Sequence, residues 1–272
     1  MPTPDLDIGV VYTYERQWMP RLLSSLRDSG DGISMRLLLI DNDSDGIQPW
    51  LPYFPQTTVL VNSRRLGYAV NLNRILDAST ARYALLLNTD LYVDPDAQCL
   101  AQMVRFMDQH PGCGLAGCRV YHEDRQYAHP ARRFQTIPTI LARRFGLARL
   151  MPGVVRDYLY QDQPLDEPLE CDWLSGCFLL VRREAYHEVG GFDSGFAKYF
   201  EDVDFCLRIA RAGWQVMLNP ATYCYHLEAR SSKRVFSADA LTHAKSYLRF
   251  LRKWGFSPRR HIVRAHPTRR AA

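Results

Sequence analysis

Four short apolar runs, each followed by a cluster of polar residues, organise the first half of the chain. The runs cover residues 8–12, 36–40, 58–61 and 83–87. Stretches with the three-to-four-residue apolar spacing of a helix lie between and after them, over 17–28, 68–78 and 96–109. Strands that alternate with helices predict an α/β fold, in which helices flank a Rossmann-like, mostly parallel central sheet with right-handed crossovers.

Polar side chains follow the predicted strands at their carboxyl ends. They are Thr13, Tyr14 and Glu15 after the first strand, Asp41 after the second, Asn62 after the third and Asp90 after the fourth. In an open α/β sheet, ligands bind at this edge. We therefore expect these side chains to belong to one binding site.

The second half of the chain is less regular. Residues 121–170 contain five prolines among arginines and aromatic residues, which predicts an irregular insertion. Order returns with an apolar, strand-like run over 173–181. A helical pattern then begins near residue 201 and ends at Gly213.

Three carboxylates open this last helix, among large apolar side chains. Glu201, Asp204 and Arg208 share one stripe of the helix, whereas Asp202 stands over the apolar positions. One interpretation is N-capping, because acidic residues favour the first turn of a helix. The other is a general base, whose pKa partial burial would tune. Capping would lower the pKa of Asp202 and desolvation would raise it, and the residues alone leave both interpretations open.

Two further residues are candidates for contact with a cation or a phosphate. Asp90 closes an apolar strand, where a carboxylate can hold Mg²⁺ or Mn²⁺ together with substrate phosphates. The alternative for Asp90 is an Asx turn that leaves the strand. His226 follows a short predicted strand, and a lone histidine is more often structural than a ligand. Arg230, just downstream, favours a phosphate near His226.

Composition narrows the class of protein. With 272 residues, of which 47% are hydrophobic and 23% charged, the chain has the make-up of a globular protein. It has no run of about 18 apolar residues that could span a bilayer and no basic-then-apolar leader. Seven cysteines without a CxxC pair indicate reduced thiols. We therefore expect a cytoplasmic protein.

The net charge of +5 is unevenly distributed, because arginines concentrate over 130–156 and 249–270. Such patches suit phosphates, nucleic acid or an anionic membrane, although most are solvated surface. Over 132–149 the arginines alternate with apolar residues, a pattern that suits peripheral contact with the inner face of a membrane. A lid over a binding site or a dimer face explains the same pattern equally well. We expect no nucleic-acid partner and regard an oligomer as compatible with the sequence.

Together, seven ordered stretches resemble a known family. They are residues 10–16 (VVYTYER), 39–45 (LIDNDSD), 62–73 (NSRRLGYAVNLN), 85–90 (LLLNTD), 172–182 (DWLSGCFLLVR), 189–213 (VGGFDSGFAKYFEDVDFCLRIARAG) and 226–231 (HLEARS). The chain resembles the family 2 glycosyltransferases of the GT-A fold, in particular their bacterial rhamnosyltransferase-like branch. Residues 121–170 and the tail have no counterpart in the resemblance.

The resemblance implies a role for each matching position. The nucleotide-binding residues would be Thr13, Tyr14, Glu15, Asp41, Asn62, Arg65, Gly67, Asn71, Asn88 and Arg230, with Tyr14 stacking on the base and Asp41 accepting a hydrogen bond from it. Asp90 and His226 would hold a divalent metal, since Asn88 replaces the first carboxylate of the family's Asp-x-Asp motif. Trp173 and Gly176 would border the sugar and acceptor pocket. Asp202 would be the catalytic base, supported by Glu201 and Asp204.

The resemblance also implies a function and a domain organisation. An inverting, metal-assisted transferase would move a sugar, with rhamnose from dTDP-rhamnose as the expected donor, to a hydroxyl of a glycan or glycolipid in cell-surface polysaccharide biosynthesis. A catalytically silent nucleotide-sugar-binding or scaffold protein on the same fold is the alternative. The expected units are a GT-A domain over 1–235 and a C-terminal helix with a basic tail over 236–272. Within the domain we expect a nucleotide-binding half (1–120), the insertion (121–170) and an acceptor and catalytic half (171–235).

Overall fold

The computed structural model describes residues 4–30, 32–54, 56–144, 146–227 and 238–262. The strands are Leu6–Tyr12 (β1), Met35–Asp41 (β2), Thr57–Val61 (β3), Tyr83–Leu87 (β4), Leu91–Val93 (β5), Cys113–His122 (β6), Ala131–Arg132 (β7), Leu169–Glu170 (β8), Trp173–Leu174 (β9), Phe178–Arg182 (β10) and Gln215–His226 (β11). The α-helices are Met19–Asp28 (α1), Tyr68–Ala78 (α2), Cys99–Gln109 (α3), Ile137–Arg144 (α4), Pro152–Tyr158 (α5), Arg183–Val189 (α6), Glu201–Arg211 (α7) and Ala238–Trp254 (α8).

Nine of the described strands form one central sheet, in the order β3-β2-β1-β4-β10-β6-β11-β5 with β8 beside β11. Strands β1 to β4 are parallel to one another. β10 runs antiparallel between β4 and β6, and β6 and β11 are parallel. The predicted α/β class with its parallel half is therefore confirmed, and antiparallel strands complete the other half.

The register of the parallel half brings the carboxyl ends of its strands together. Tyr12 on β1 is opposite Asp41 on β2, and Asp41 is opposite Val61 on β3. On the other side of β1, Val10 is opposite Leu87 on β4. The polar residues that follow these strands therefore share one edge of the sheet, as ligand-binding α/β sheets require.

The core lies on both faces of the sheet, which explains the unbroken apolar runs of the inner strands. On β4, Leu85 and Leu87 pack on one face with residues of α1 and α3. Ala84 and Leu86 pack on the other face with residues of α2, α7 and α8. The helix that carries the acidic cluster therefore lies on the α2 face.

The segment 121–170 differs from the expected irregular insertion. It contains the helices α4 and α5, because Ala142 is buried and Phe134 and Tyr158 join the core on the α2 face of the sheet. The apolar run 173–181 is also not one strand. It divides at residues 175–177, so that β9 pairs with β7 and β10 joins the central sheet.

Candidate active site

A strained turn precedes the acidic helix α7. Tyr199 and Phe200 both have left-handed backbone conformations, with φ of 70° and 66°, which is costly for bulky side chains. Aromatic residues of α8 hold this turn in place. The Phe200 ring lies 5.1 Å from the ring of His243 and 5.5 Å from that of Phe250, measured between centroids. The position of the acids therefore depends on α8.

Asp202 is half-buried, and backbone groups hold both of its carboxylate oxygens. The N–H of Gly176 donates to Oδ2 at 3.0 Å, and the N–H of Val203 donates to Oδ1 at 2.8 Å. Burial raises the pKa of Asp202, although these two N–H groups and the charge of Arg132 oppose the rise. Desolvation therefore outweighs capping, and a raised pKa makes the carboxylate a stronger base.

Glu201 is a second acid of the site with a raised pKa. Its side chain is 9% exposed, and its Oε2 atom has no hydrogen-bond partner among the described residues. Burial, followed by the negative charge of Asp202, raises its pKa to about 8. The two carboxylates therefore titrate together, and at neutral pH the state in which both are ionised is disfavoured.

Asp204 is fully buried and faces α8. Its Oδ2 accepts a hydrogen bond from Arg208 Nε at 2.9 Å, and its Oδ1 accepts one from Trp254 Nε1 at 2.7 Å. Lys253 Nζ lies 2.8 Å from the same Oδ1. These contacts join α7 to α8, so the support that Asp204 gives to the site is mechanical.

Asp90 and His226 meet at the carboxyl-end edge of the sheet. Asp90 Oδ2 and His226 Nε2 are 3.0 Å apart, yet the buried Nε2 atom makes no hydrogen bond of acceptable geometry. The pairing of β5 with β11 fixes the two residues, because the N–H of Leu227 donates to the carbonyl of Asp90 at 2.8 Å.

This pair fits the donor set of a divalent cation. Mg²⁺ and Mn²⁺ take carboxylate oxygens and commonly complete their shells with substrate phosphates, and Mn²⁺, a transition metal, also accepts an imidazole nitrogen. The described residues contain no cluster of three His, Cys, Asp or Glu side chains that could hold a metal ion by themselves. A cation at Asp90 and His226 would therefore share its remaining positions with a ligand.

Tyr68 is a further residue of this site that the sequence analysis did not single out, and the charges of Glu201, Asp90 and Asp202 act on its side chain. Its hydroxyl donates to Asn88 Oδ1 at 2.8 Å. Burial, together with the charges of Glu201, Asp90 and Asp202, raises the pKa of Tyr68 well above its ordinary value. The phenol therefore remains a neutral hydrogen-bond donor at the centre of the site. The only sequence signal was its place directly after Gly67, inside the matching stretch 62–73.

The turn after β1 presents an exposed aromatic ring. Tyr14 is 55% exposed, its hydroxyl donates to the carbonyl of Asp43 at 3.1 Å, and the Arg65 guanidinium lies 5.7 Å above its ring. The carboxylate of Glu15 accepts the backbone N–H groups of Thr13 and Tyr14, at 2.9 and 3.0 Å. Glu15 therefore shapes the turn, and Tyr14 offers a free ring face.

A buried asparagine network orders the neighbouring loop. Asn62 Nδ2 donates to Asn42 Oδ1 at 2.8 Å and to Asn71 Oδ1 at 2.7 Å, and Asn42 Oδ1 also accepts the N–H of Leu66 at 2.9 Å. Asn62 and Asn71 therefore hold the loop with Asn42, which sequence reasoning missed. A Cβ at Gly67 would meet nothing within 4 Å, so the loop ends in open space.

The remaining predicted residues are distributed as follows. Asp41 Oδ1 accepts the N–H of Ser44 at 3.0 Å, in an Asx-type turn at the end of β2. The ring of Trp173 is buried, and its Nε1 donates to the carbonyl of Arg133 at 2.8 Å. A Cβ at Gly176 would lie 3.3 Å from Oδ2 of Asp202. Arg230 lies outside the described residues.

Comparison with known proteins identifies the family. A sequence model described as glycosyl transferase family 2 matches residues 8–190, the part of the chain that holds most of the strand edge. The chain belongs to this family. A second model, described as the N-terminal domain of galactosyltransferase, matches residues 160–230, which include the acidic helix. The protein is therefore an inverting glycosyltransferase.

Two characterised relatives carry rhamnosyltransferase names. N-acetylglucosaminyl-diphospho-decaprenol L-rhamnosyltransferase of Mycobacterium tuberculosis is 31% identical over 232 residues, which cover 79% of this chain and 74% of the relative. Rhamnosyltransferase WbbL of Escherichia coli is 27% identical over 170 residues, which cover 62% of this chain and 61% of the relative.

Solved structures of glycosyltransferases share the fold. GalNAc-T7, solved with UDP, GalNAc and Mn²⁺, superposes with a TM-score of 0.67 at 14% identity and covers 94% of this chain and 50% of its own. The mannosyltransferase PcManGT of Pyrobaculum calidifontis, solved with GDP-Man and Mn²⁺, gives a TM-score of 0.58 at 18% identity and covers 95% and 73%. The predicted family and GT-A fold are both confirmed.

Within the described ranges, the longest helices are too short or too polar to cross a bilayer.

Proposed function

We propose that this glycosyltransferase moves L-rhamnose from dTDP-rhamnose to a hydroxyl of a lipid-linked glycan in cell-surface polysaccharide biosynthesis. The donor assignment is supported by the two relatives named as rhamnosyltransferases, one of which acts on N-acetylglucosaminyl-diphospho-decaprenol by its name. The observation that carries the reaction is a half-buried carboxylate of raised pKa, Asp202, on the α2 face beside the strand edge.

Asp202 is the proposed base. It takes the proton of the acceptor hydroxyl while that oxygen attacks the anomeric carbon of the sugar. The bond from this carbon to the diphosphate oxygen breaks on the opposite face, and its electron pair leaves with the nucleotide diphosphate, so the configuration inverts. Burial and the charge of Asp202 raise the pKa of Glu201 to about 8, so the state in which both acids are ionised is disfavoured near neutral pH.

The leaving diphosphate needs positive charge and hydrogen-bond donors. A Mg²⁺ or Mn²⁺ ion bound by Asp90 and His226 would supply charge neutralisation there, and the unsatisfied Nε2 of His226 supports that assignment. Tyr68 is a neutral hydroxyl donor beside the same position. Arg230 is proposed to contact the phosphates, and this role is supported only by the resemblance of the sequence to the family.

The nucleotide occupies the strand edge in this proposal. The free ring face of Tyr14 stacks on the base, and Arg65 closes over it. Asp41 accepts a hydrogen bond from the base, and the open space at Gly67 admits the sugar-phosphate backbone. The other proposed nucleotide-site residues, which act mainly by shaping the loops, are Thr13, Glu15, Asn62, Asn71 and Asn88.

The decisive experiment replaces the base. Asp202→Asn should reduce rhamnosyl transfer by about 10²- to 10⁴-fold, the usual contribution of a general base, while dTDP still raises the melting temperature. Asp96→Asn is the matched control, because Asp96 is an exposed acid at another helix start. Full activity in Asp202→Asn would refute the base assignment. Transfer from UDP- or GDP-sugars but not from dTDP-rhamnose would refute the donor.

No observation favours the alternative of a catalytically silent nucleotide-sugar-binding or scaffold protein. A protein that only binds nucleotide sugars has no use for an acid pair of raised pKa whose charges act, with that of Asp90, on one buried phenol. Turnover of labelled dTDP-rhamnose separates the alternatives, since a scaffold would bind the donor without consuming it.

We infer further that the segment 132–149 touches the membrane that carries the acceptor. Ile137 and Leu141 on α4, and Leu150 just after the segment, are exposed apolar side chains, which suit the boundary of an anionic bilayer. Sedimentation with anionic phospholipid vesicles should fall in Leu141→Asp/Leu150→Asp. It should persist in Leu241→Asp, which changes an exposed leucine of α8. Equal sedimentation of both variants would refute this contact.

A further inference from the structure

Five tyrosines form a continuous surface on the last strands of the central sheet. Tyr92 on β5, Tyr225 on β11 and Tyr121 on β6 lie opposite one another in the register of these strands. The centroid of the Tyr225 ring is 6.1 Å from that of Tyr92 and 6.3 Å from that of Tyr121. The other two rings pack against Tyr121, with the centroid of Tyr223 at 5.8 Å and that of Tyr127 at 5.7 Å. We call this surface the tyrosine patch.

The tyrosine patch lies on the α2 face of the sheet. Cys118 and Val120 of β6, like Cys224 of β11, pack into the core with residues of α1 and α3. The residues that alternate with them therefore face the other way. All five tyrosines are half-buried. Three of their hydroxyls reach solvent and make no hydrogen bond within the described residues, namely those of Tyr92, Tyr121 and Tyr127.

Arg119 lies within the tyrosine patch and has no counter-charge in the described part of the chain. It is opposite Tyr223 in the register of β6 and β11, and its charge acts on Tyr127. Its Nε atom is buried without a hydrogen-bond partner, and its guanidinium makes no ion pair with a described residue. Arg21, at the edge of the patch, has instead the carboxylate of Glu123 at 4.0 Å. A half-buried guanidinium with an unpaired donor is costly unless a ligand supplies an acceptor.

The tyrosine patch has the chemistry of a site for an acidic sugar. Tyrosine rings give a rigid surface on which the apolar C–H face of a sugar ring can pack, and their hydroxyls can bond to its hydroxyl groups. The Arg119 guanidinium presents a planar fork of donors, which suits a carboxylate or a phosphate on that sugar. A neutral sugar would leave the positive charge without a partner.

The patch is separate from the strand edge assigned to the nucleotide. In the order of the sheet, β6 is four strand positions from β2, which carries Asp41, or roughly 19 Å at the usual spacing of strands. The patch approaches the pair of Asp90 and His226, because Tyr225 directly precedes His226. We propose that the tyrosine patch is a second carbohydrate site, which binds an acidic sugar unit of a glycan through its rings and through Arg119. This inference goes beyond the proposed function, since binding at the patch requires no sugar transfer.

The test measures glycan binding and not turnover. Labelled protein is applied to a printed array of oligosaccharides in matched pairs, in which one member is neutral and the other carries a uronate carboxylate or a phosphate. Wild type is compared with Arg119→Gln, Arg119→Lys and Tyr121→Ala. The controls are Arg125→Gln and Tyr53→Ala, which change an exposed arginine of the turn after β6 and a half-buried tyrosine between β2 and β3. Thermal melting verifies that each variant is folded.

Wild type should bind the acidic members about 10- to 100-fold more tightly than their neutral partners, as expected for one charge-assisted contact. Arg119→Gln should abolish that preference, Arg119→Lys should restore part of it, and Tyr121→Ala should weaken binding to both members of a pair. The controls should match wild type, and saturating dTDP with Mn²⁺ should leave binding intact. Equal binding of both members, an unchanged preference in Arg119→Gln, displacement by dTDP or no bound glycan would overturn the inference.

Discussion

The buried acid Glu201 makes the stability of this protein depend on pH in a way that one substitution can isolate. Its pKa rises from an ordinary value of 4.5 to about 8 in the folded state, through burial and then through the charge of Asp202. The folded protein therefore holds this proton more tightly than the unfolded chain does. Below pH 4.5 both states are protonated and burial of the carboxyl carries no ionic penalty.

The penalty grows as the pH rises through this window. Each pH unit between the two pKa values lowers the free energy of unfolding by up to about 1.4 kcal/mol. Over the whole range between the two pKa values, the free energy of unfolding falls by about 3–5 kcal/mol. The lower figure applies where Asp202 takes up part of the titration. Above the folded pKa of Glu201, both states are ionised and the penalty is constant.

Glu201→Gln removes the titrating carboxyl and keeps the shape of the side chain. The free energies of unfolding of the variant and of wild type are measured by urea denaturation. The difference, variant minus wild type, should increase by about 3 kcal/mol or more from pH 5 to pH 8. The difference should then stay level at higher pH. Glu184→Gln serves as the control, because Glu184 is an exposed acid in the first turn of α6. A constant difference between Glu201→Gln and wild type across this range would refute the reasoning.

Three further substitutions test other parts of the site. Gly176→Ala places a methyl group 3.3 Å from Oδ2 of Asp202, so kcat should fall about 3- to 10-fold by displacement of the base; unchanged kcat would contradict this. In wild type with dTDP, Mn²⁺ should raise the melting temperature further, and Asp90→Ala should abolish this increase. An intact Mn²⁺ effect in the variant would exclude Asp90 as a ligand. Trp254→Phe removes the donor to buried Asp204 and should lower the free energy of unfolding by about 1.5–3 kcal/mol; an unaltered urea midpoint would count against that bond.

The strands and the polar residues at their carboxyl ends could be predicted from the sequence, because the apolar runs and the polar residues that follow them indicate the same boundaries. Strand β4 was predicted with its observed bounds, and β1 and β2 were predicted to within two residues at each end. These strands are buried on both faces, so their apolar runs are unbroken and stop where polar residues begin. Asp90 and His226 were singled out by the same change from strand to polar residues, and in the structure they lie 3.0 Å apart.

Contacts between residues that are far apart in the sequence could not be predicted, and these contacts determine the roles of the remaining site residues. Asp204 looked like a support for the base, but its partner Trp254 is 50 residues away and no periodicity indicates that pair. Arg132 was grouped with a surface pattern, because nothing local shows that it stacks on Trp173. The helices α4 and α5 were missed because prolines were taken as breaks, although Pro152 occupies the first turn of α5, where proline is tolerated.

The clamp between α8 and the turn at Tyr199 and Phe200 has a consequence for how the enzyme matures. The strained turn packs on the rings of His243 and Phe250, and buried Asp204 accepts from Trp254 in addition to Arg208 of its own helix. A nascent chain that has emerged only as far as α7 therefore lacks the aromatic rings and the Trp254 donor that pack the start of this helix. The parallel half can close earlier through its own strands and helices. We therefore expect the turn that positions Asp202 to become ordered only after the C-terminal helix docks.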